Sequence, residues 1–237
     1  MLQQINLRLK MIYDMIPQCN KLGDVGTDHG FLPIYSVQTG KCKYAIASDL
    51  REGPLYIANK NISENGLSDK IQTMKCNGMD GYSDKNCDVI VIAGMGGITI
   101  CNILSDWLAK AQTENYFPGN NTLILQPNTH DYEVRRFLWD NGFTITDEQA
   151  IKDGNHTYIA LKTLYTGKNE SYSTLQLYLG KIMTLRKTEN DILYFNALKR
   201  KYSNILKGLS MRNNPSKEIL DRINLSKDIL KELDCLL

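Results

Sequence analysis

The chain has 237 residues, of which 42% are hydrophobic, and a formal net charge of +2. This composition is typical of a globular protein with one ordinary domain and an appendage, or with two small domains, and the small charge alone does not predict a nucleic-acid partner. Its six cysteines include no Cys-x-x-Cys pair, which argues against a metal site and a disulfide scaffold. No stretch resembles a signal peptide or reaches the ~20 apolar residues of a membrane helix, so we expect a cytoplasmic protein with reduced thiols.

Apolar residues at helical spacing predict a leading helix from Leu2 to Ile16, which Pro17 ends. Short apolar strands then alternate with helical patterns, which predicts a parallel sheet built from βαβ units. The first five predicted strands are Leu22–Gly26, Tyr44–Ser48, Ile71–Lys75, Val89–Ala93 and Thr122–Gln126. The helices predicted between them are Leu32–Gln38, Pro54–Asn65, Gly97–Lys110 and Tyr132–Asn141. Two further strands, Phe143–Ile151 and Thr157–Leu164, follow each other without a helix, which predicts an antiparallel hairpin.

The turn after the first strand reads Leu-Gly-Asp-Val-Gly-Thr-Asp-His-Gly-Phe-Leu-Pro over Leu22–Pro33. Glycine at such a turn lets a ligand approach the backbone closely. The glycine spacing is not the Gly-x-Gly-x-x-Gly of a dinucleotide loop, and Asp24 and Asp28 would repel a pyrophosphate. The same carboxylates would attract the ammonium and sulfonium of S-adenosylmethionine (SAM). Asp49 ends the second strand 23 residues after Gly26, where a Rossmann-like fold carries the carboxylate that holds ribose hydroxyls.

An alternative interpretation of this turn stays open. Gly26 could serve an ordinary strand-to-helix turn, and the two aspartates could cap the following helix. The position of Asp49 favours the SAM interpretation, as does a parallel sheet closed by an antiparallel hairpin, which is the usual ending of SAM-dependent methyltransferases.

The C-terminal part has a different pattern. A polar linker follows Leu164, so we predict one domain over residues 1–166 and a second, all-helical one over residues 167–237. An apolar edge running from Leu175 through Leu185 to Ile205 predicts one helix of about 35 residues. Asn214 is the expected N-cap of a second helix, whose seam runs from Ile219 through Ser226 to Leu237 at heptad-like spacing. Residues 170–237 contain 12 Lys or Arg against 8 Asp or Glu, a net of +4.

Three motifs follow the third, fourth and fifth strands and are expected at the carboxyl edge of the sheet. Asn77-Gly78-Met79 is expected beside the adenine of the cofactor, and Ala93-Gly94-Met95-Gly96-Gly97 beside the transferred methyl. The second motif lacks Asp/Asn-Pro-Pro-aromatic, and no cysteine follows a proline, so a ring nitrogen that needs only positioning is the favoured target. Gln126-Pro127-Asn128-Thr129-His130 could read the edge of a flipped base with its amides.

Each of these motifs also has a purely structural explanation. The first could be a plain turn, the second could serve close helix–sheet packing, and Asn128 could cap the next helix. The basic run Lys199-Arg200-Lys201, interleaved with Tyr194 and Tyr202, could contact RNA phosphates or could be a solvated helix face.

Taken together, the turn motif, Ala-Gly-Met-Gly-Gly and Leu-Gln-Pro-Asn resemble the bacterial tRNA (adenine-N1)-methyltransferase family, whose members modify adenine 22 in the D-arm. The resemblance covers nearly the whole chain. It implies an α/β fold, namely a Rossmann-like class I SAM-dependent methyltransferase domain with a mostly parallel seven-stranded sheet, and a coiled-coil-like helical hairpin that helps to hold tRNA. It also implies SAM as the cofactor and tRNA as the partner. The cysteine spacing and the lack of a long apolar stretch predict no metal and no membrane, and we expect a monomer.

The resemblance, together with the motifs described above, predicts roles for individual residues. Those expected to hold the cofactor are Asp24, Gly26, Thr27, Asp28, His29, Asp49, Leu50, Asn77, Gly78, Met79, Ala93, Gly94, Met95 and Gly96. Those expected to act on the reacting base are Asp28, Met95 and Asn128. Those expected to bind the RNA are Arg8, Gln126, Asn128, His130, Arg136, Lys199, Arg200 and Lys201. Asn77 departs from the family, which more often has an acid there; its amide can still accept a hydrogen bond, without charge assistance.

Two other functions stay open at this point. A SAM-dependent methyltransferase of a small molecule or protein would not need the basic hairpin. A catalytically silent RNA-binding protein of the same fold would bind tRNA but not SAM.

Overall fold

The computed structural model of the chain describes residues 2–82, 87–114, 121–211 and 215–237. Its strands are β1 (Cys19–Val25), β2 (Cys42–Asp49), β3 (Ile71–Lys75), β4 (Val89–Gly96), β5 (Thr122–Thr129), β6 (Phe143–Asp153) and β7 (His156–Tyr165). Its helices are α1 (Leu7–Met15), α2 (Phe31–Gln38), α3 (Glu52–Glu64), α4 (Gly97–Thr113), α5 (Asp131–Asp140), α6 (Thr174–Leu179), α7 (Lys181–Arg186), α8 (Glu189–Ser210) and α9 (Lys217–Leu236). Within these ranges, no helix is both long enough and apolar enough to cross a bilayer.

The strands form a single seven-stranded sheet in the order β3-β2-β1-β4-β5-β7-β6. The first five are parallel, and β7 inserts between β5 and β6, antiparallel to both. This confirms the predicted Rossmann-like class and the hairpin. The strand order reverses between β1 and β4, and a crevice opens beyond the carboxyl ends of parallel strands at such a switch point.

The leading helix is shorter than the apolar spacing predicts. It begins at Leu7, because the Asn6 side chain accepts a hydrogen bond from the backbone N–H of Leu9 and caps the helix there. The periodic residues before it, Leu2 and Ile5, lie outside the helix.

The prediction of one helix of about 35 residues is wrong, because α6, α7 and α8 are separate. Gly180 divides α6 from α7 at φ +83°, a conformation that suits glycine. The Glu148 carboxylate fills the space beside it and accepts the Ile182 backbone N–H at 2.7 Å. Thr188 and Asp191 form a capping box that starts α8 anew. Leu185, predicted in the apolar edge, is consequently 82% exposed.

The last helix, α9, is capped by the side chain of Ser216, which accepts the Ile219 backbone N–H. The expected N-cap, Asn214, lies outside the described residues. Ser226 is buried as predicted, together with Ile229 and Leu233, whereas the predicted seam residue Leu237 is 44% exposed. The buried face of α9 is therefore rotated slightly from the predicted seam.

The boundary predicted at residue 166 is crossed by packed side chains. One apolar cluster contains Ile159 and Leu161 of β7 together with Met183 of α7, Phe195 of α8 and Leu233 of α9. A buried ion pair adds to it: Arg135 Nε donates to Glu148 Oε1 at 2.7 Å, and Arg135 Nη1 donates to the Leu177 carbonyl at 2.9 Å. The helical part therefore packs on the sheet through a shared core.

Candidate active site

A cavity of about 590 Å³ opens at the carboxyl ends of β1, β2 and β4. We call it the cofactor cavity, and it is lined by most of the residues predicted to hold the cofactor. Those are Asp24, Gly26, Thr27, Asp28, His29, Asp49, Leu50, Asn77, Gly78, Ala93, Gly94 and Met95. The fold thus brings together four segments at the carboxyl ends of β1 to β4, spread from Asp24 to Met95 in the sequence, which is what the parallel topology requires.

Two predicted residues do not line this cavity. The Met79 side chain is only 3% exposed and packs in the apolar core, because the turn at Gly78 points it inward. Gly96 precedes the first turn of α4 and lies against Thr129, where a Cβ would be 3.5 Å from Thr129 Oγ1. That distance is an ordinary contact, and the close helix–sheet packing is at Gly97, where a Cβ would lie 2.5 Å from the His130 carbonyl oxygen.

The turn after β1 requires glycine at position 26. Gly26 has φ +75°, and a Cβ on it would lie 2.2 Å from Met95 Cε. The backbone N–H groups of Gly26 and Thr27 both donate to the Ser48 carbonyl, at 2.8 and 2.9 Å, which fixes the turn to β2. The N-cap position of α2 is Gly30, with no side-chain cap. The alternative in which Asp24 and Asp28 cap this helix is therefore wrong.

Asp24 is the buried acid of the cofactor cavity, with 5% of its surface exposed. Its Oδ2 accepts a hydrogen bond from Thr27 Oγ1 at 2.6 Å. Burial raises the pKa of Asp24 to about 6, against the lowering effects of the Thr27 hydrogen bond and of Arg8, and Asp49 raises it further. Asp24 therefore carries a negative charge at neutral pH and loses it in mild acid.

Asp49 ends β2 beside it and is 6% exposed. Its Oδ1 accepts the backbone N–H of Arg51 at 2.9 Å, and no hydrogen bond within the described residues occupies Oδ2. Asp28 and His29 lie at the open side, where their side chains are 64% and 45% exposed and approach to 3.4 Å. The cavity is thus acidic at two buried positions and at one exposed one.

A hydrogen-bond network joins the carboxyl ends of β4 and β5. Arg8 Nη1 donates to Gln126 Oε1 at 2.7 Å, and the Gly94 backbone N–H donates to the same oxygen at 3.2 Å. Gln126 Nε2 donates to the Pro127 carbonyl and to Asn128 Oδ1, at 3.0 and 3.1 Å. Asn128 Nδ2 closes the ring by donating to the Gly94 carbonyl at 2.8 Å.

This network corrects two predictions. Gln126 is fully buried and its amide is already engaged on both sides, so it positions the loops and does not read a base. Arg8 also lines the cofactor cavity, and its contact with RNA stays a prediction. Asn128 stays exposed at the rim, and the N-cap position of α5 belongs to His130, which has φ +56° and is also exposed. Asn128 therefore does not cap that helix.

Sequence reasoning missed several residues of the cofactor cavity. Asn6, the N-cap of α1, and Leu9 of α1 line it, as do Thr99 and Ile103 of α4. The Ala-Gly-Met-Gly-Gly motif pointed to the start of α4, but nothing in the sequence indicated that α1 would lie over the sheet edge. Arg51 also lines the cavity, and its position two residues after Asp49 could have suggested it.

The basic residues predicted to bind RNA do not act as one cluster. Arg136 pairs with Glu133 on the same helix, and Lys199 Nζ pairs with Asp234 of α9 at 2.7 Å. Arg200 is exposed, and Lys201 is exposed with its ammonium 5.6 Å from the Tyr202 ring centroid. Lys201 lines a second cavity of about 660 Å³ between the β5–α5 loop, β7 and the C-terminal helices.

Among the described residues, no group of three or more His, Cys, Asp or Glu side chains could hold a metal ion.

Comparison with known proteins gives consistent matches. The Methyltransferase domain family model matches residues 5–161. The chain is 27% identical to the tRNA (adenine(22)-N(1))-methyltransferase of Bacillus subtilis strain 168, over 96% of this chain and 97% of that protein. It is 30% identical to a putative tRNA methyltransferase of Mycoplasma pneumoniae, over 81% and 84%. A putative tRNA methyltransferase from Streptococcus pneumoniae, solved with S-adenosyl-L-methionine, superposes with a TM-score of 0.79 at 30% identity, covering 96% of this chain and 100% of that one.

Proposed function

We propose that this chain, which belongs to the methyltransferase-domain family and within it to the tRNA (adenine-N1)-methyltransferases, methylates N1 of adenine 22 in the tRNA D-arm with SAM as donor. The observation that carries the proposal is the likeness to the B. subtilis enzyme across both chains, C-terminal helices included. A methyltransferase of small molecules would have no use for those helices.

The cofactor cavity fits SAM by shape and by charge. Gly26 lines the cavity at φ +75° without a side chain, and the tip of the flexible Met95 side chain fills the space where its Cβ would lie. Asp24 and Asp49 are buried acids on neighbouring strands, and such a pair suits a ligand that carries an ammonium, a sulfonium and ribose hydroxyls. The same pair would repel a pyrophosphate, which argues against a dinucleotide.

When bound, SAM supplies an electrophilic methyl group on a sulfonium. We assign Asp49, through Oδ2, to the ribose hydroxyls, and Asp24 to the ammonium. Asn77 and Gly78 are assigned to the adenine, because they line the cavity from the loop after β3. Gly94 and Met95 form the wall next to the reacting centre, and their loop is held by Gln126 and Asn128.

N1 of neutral adenine carries its own lone pair, so the protein needs to align it and does not need a base. Asn128 is exposed at the rim where the loops after β4 and β5 meet. We assign it to contact the base held out of its stack. The methylated base is cationic, and the exposed carboxylate of Asp28 is assigned to stabilise it.

The test is incubation of the purified protein with SAM and a tRNA transcript, followed by mass spectrometry of the nucleosides. We expect N1-methyladenine, and none from a matched transcript with guanine at position 22. SAM binding without any tRNA product would favour a small-molecule or protein methyltransferase. Binding of tRNA without SAM uptake would favour a catalytically silent RNA-binding protein.

The proposal includes a monomer acting in the cytoplasm, where tRNA is available. Light scattering of the protein with and without tRNA tests the first part. A dimeric mass would contradict it without affecting the proposed chemistry.

A further inference from the structure

The second cavity lies beside the proposed active site, and the proposed chemistry makes no use of most of it. Its volume is about 660 Å³. We call it the tyrosine cavity, because Tyr132 of α5, Tyr178 of α6 and Tyr202 of α8 line it, with Lys201 and Arg222 as its cationic residues. We propose that the tyrosine cavity binds one unpaired nucleotide of the tRNA, next to the nucleotide that is methylated; this inference rests on the proposed function.

The rings are arranged as a platform for a flat ligand. Tyr132 and Tyr178 stack with centroids 4.8 Å apart and planes 22° apart. Tyr202 meets Tyr178 edge to face, at 6.1 Å and 89°. Tyr178 and Tyr132 are partly exposed, whereas Tyr202 is nearly buried. Stacked aromatic rings with one accessible side are the usual means by which proteins bind unpaired bases irrespective of sequence.

The hydroxyl groups of these tyrosines remain protonated. Burial raises the pKa of Tyr178 and also that of Tyr202. Both phenols are therefore neutral at physiological pH and add no negative charge where a phosphate would approach. The carboxylate in this cavity, Asp131, forms an ion pair with Arg135, which it shares with Glu148, and its Oδ2 also accepts the Tyr194 hydroxyl at 2.7 Å.

The charges at the rim complement a phosphate. Lys201 and Arg222 are both exposed, and neither forms an ion pair within the described residues. Lys199 differs, because Asp234 already neutralises it. Of the basic run on α8, Lys201 is therefore the residue available to the tyrosine cavity, whereas Lys199 pairs with α9 and Arg200 does not line the cavity.

The position of the tyrosine cavity suits a flanking nucleotide and not the reacting base. Among the described residues that line either cavity, none lines both. The two cavities meet where Asn128, which lines the tyrosine cavity, donates to the carbonyl of Gly94, which lines the cofactor cavity. A base stacked in the tyrosine cavity is thus separated from the methyl group by this contact, while the neighbouring nucleotide can reach it.

The experiment measures the affinity of full-length variants for a tRNA transcript, with SAM affinity by calorimetry and the unfolding midpoint as controls. Tyr178→Ala is expected to weaken tRNA binding by roughly five- to a hundredfold, the range found for loss of one stacked base. Tyr178→Phe keeps the ring and is expected to bind tRNA like the parent. Neither change is expected to alter SAM affinity.

A second pair of variants avoids any dependence on the folding of the aromatic cluster. Arg222→Ala is expected to lower the log–log salt slope of tRNA binding by about 0.7–0.9, one phosphate contact. The matched control Lys199→Ala removes the same charge from a paired position and is expected to leave the slope unchanged.

The inference is overturned if Tyr178→Ala, folded and binding SAM, also binds tRNA like the parent, or if Arg222→Ala and Lys199→Ala have the same slope. It is also overturned if Tyr178→Phe loses as much as Tyr178→Ala. A parent protein that binds tRNA in a Tyr178-dependent manner but makes no N1-methyladenine would remove the proposed function, and with it the placement next to a methylated nucleotide, and would leave only nucleotide binding in the tyrosine cavity.

Discussion

SAM affinity should depend on pH through Asp24. The carboxyl group has a pKa of about 6 in the folded protein because it is buried. If its ionised form pairs with the ammonium of SAM, the affinity is full at pH 8, about half at pH 6 and about tenfold weaker at pH 5, as expected for binding to the deprotonated form alone. The protein should also take up SAM with release of up to one proton per molecule below pH 6.

The free energy of unfolding of the unliganded protein should rise as the pH falls, whereas SAM affinity falls. The folded pKa of Asp24 lies above its ordinary value of 3.8, so the folded state holds a proton that the unfolded state lacks between about pH 4 and 6. This contribution to the free energy of unfolding, roughly 3 kcal/mol, is full below pH 4 and is lost as the pH rises through 6. A general acid-induced loosening would instead lower SAM affinity and stability together.

Calorimetry from pH 5 to 8 at constant ionic strength is the assay, with Asp24→Asn as the test variant. We expect the variant to bind SAM weakly and without this pH dependence. His29→Asn is the control, because His29 is a histidine that also lines the cavity. A flat profile in the parent, or an unchanged slope in Asp24→Asn, would refute the assignment.

Three further predictions follow from other contacts. Asp49→Ala should weaken SAM binding about ten- to hundredfold, the value of a charge-assisted hydrogen bond, and unchanged calorimetric affinity would remove Asp49 from the site. Arg135→Met leaves the buried Glu148 charge unpaired and should cost about 3–5 kcal/mol in denaturant unfolding, whereas the exposed pair at Arg136 makes Arg136→Met a near-neutral control. Truncation after Tyr165 should expose the shared core and yield an aggregating chain; a monomeric, cooperatively unfolding product would show that the sheet domain is self-sufficient.

The sheet and the acids of the cofactor cavity were predictable because they depend on local patterns. Alternating strands and helices define the switch point, and Asp24 and Asp49 occupy strand ends that any βαβ sheet brings together. Residues whose role depends on distant partners were not predictable. Gln126 follows a strand like a base-reading amide, yet Arg8, 118 positions away, engages it.

The C-terminal helices show a related limit of sequence patterns. Apolar spacing continues across Gly180 as if the helix did, because α6, α7 and α8 pack on the same core. The break depends on Glu148 of β6, whose carboxylate accepts the Ile182 N–H. Periodicity records which side chains are buried, and it does not record whether the backbone between them is continuous.

The same buried contacts hold the two cavities at a fixed distance from each other, although different elements line them. Asp131, directly after the loop that carries Asn128, accepts hydrogen bonds from Arg135 Nη1 at 3.1 Å and from Tyr194 of α8 at 2.7 Å. Arg135 Nε also donates to Glu148, whose carboxylate accepts the Ile182 N–H at the start of α7. The rim of the cofactor cavity and the helices that carry the tyrosine cavity are therefore held by one set of buried polar groups, for which any loosening leaves a charge unpaired. Such rigid support fixes the spacing between a stacked base and the methyl position before the RNA binds. The distance between the two cavities can then select one adenine, because only the neighbour of the stacked nucleotide reaches the methyl group. No single side chain then has to recognise the target base by itself.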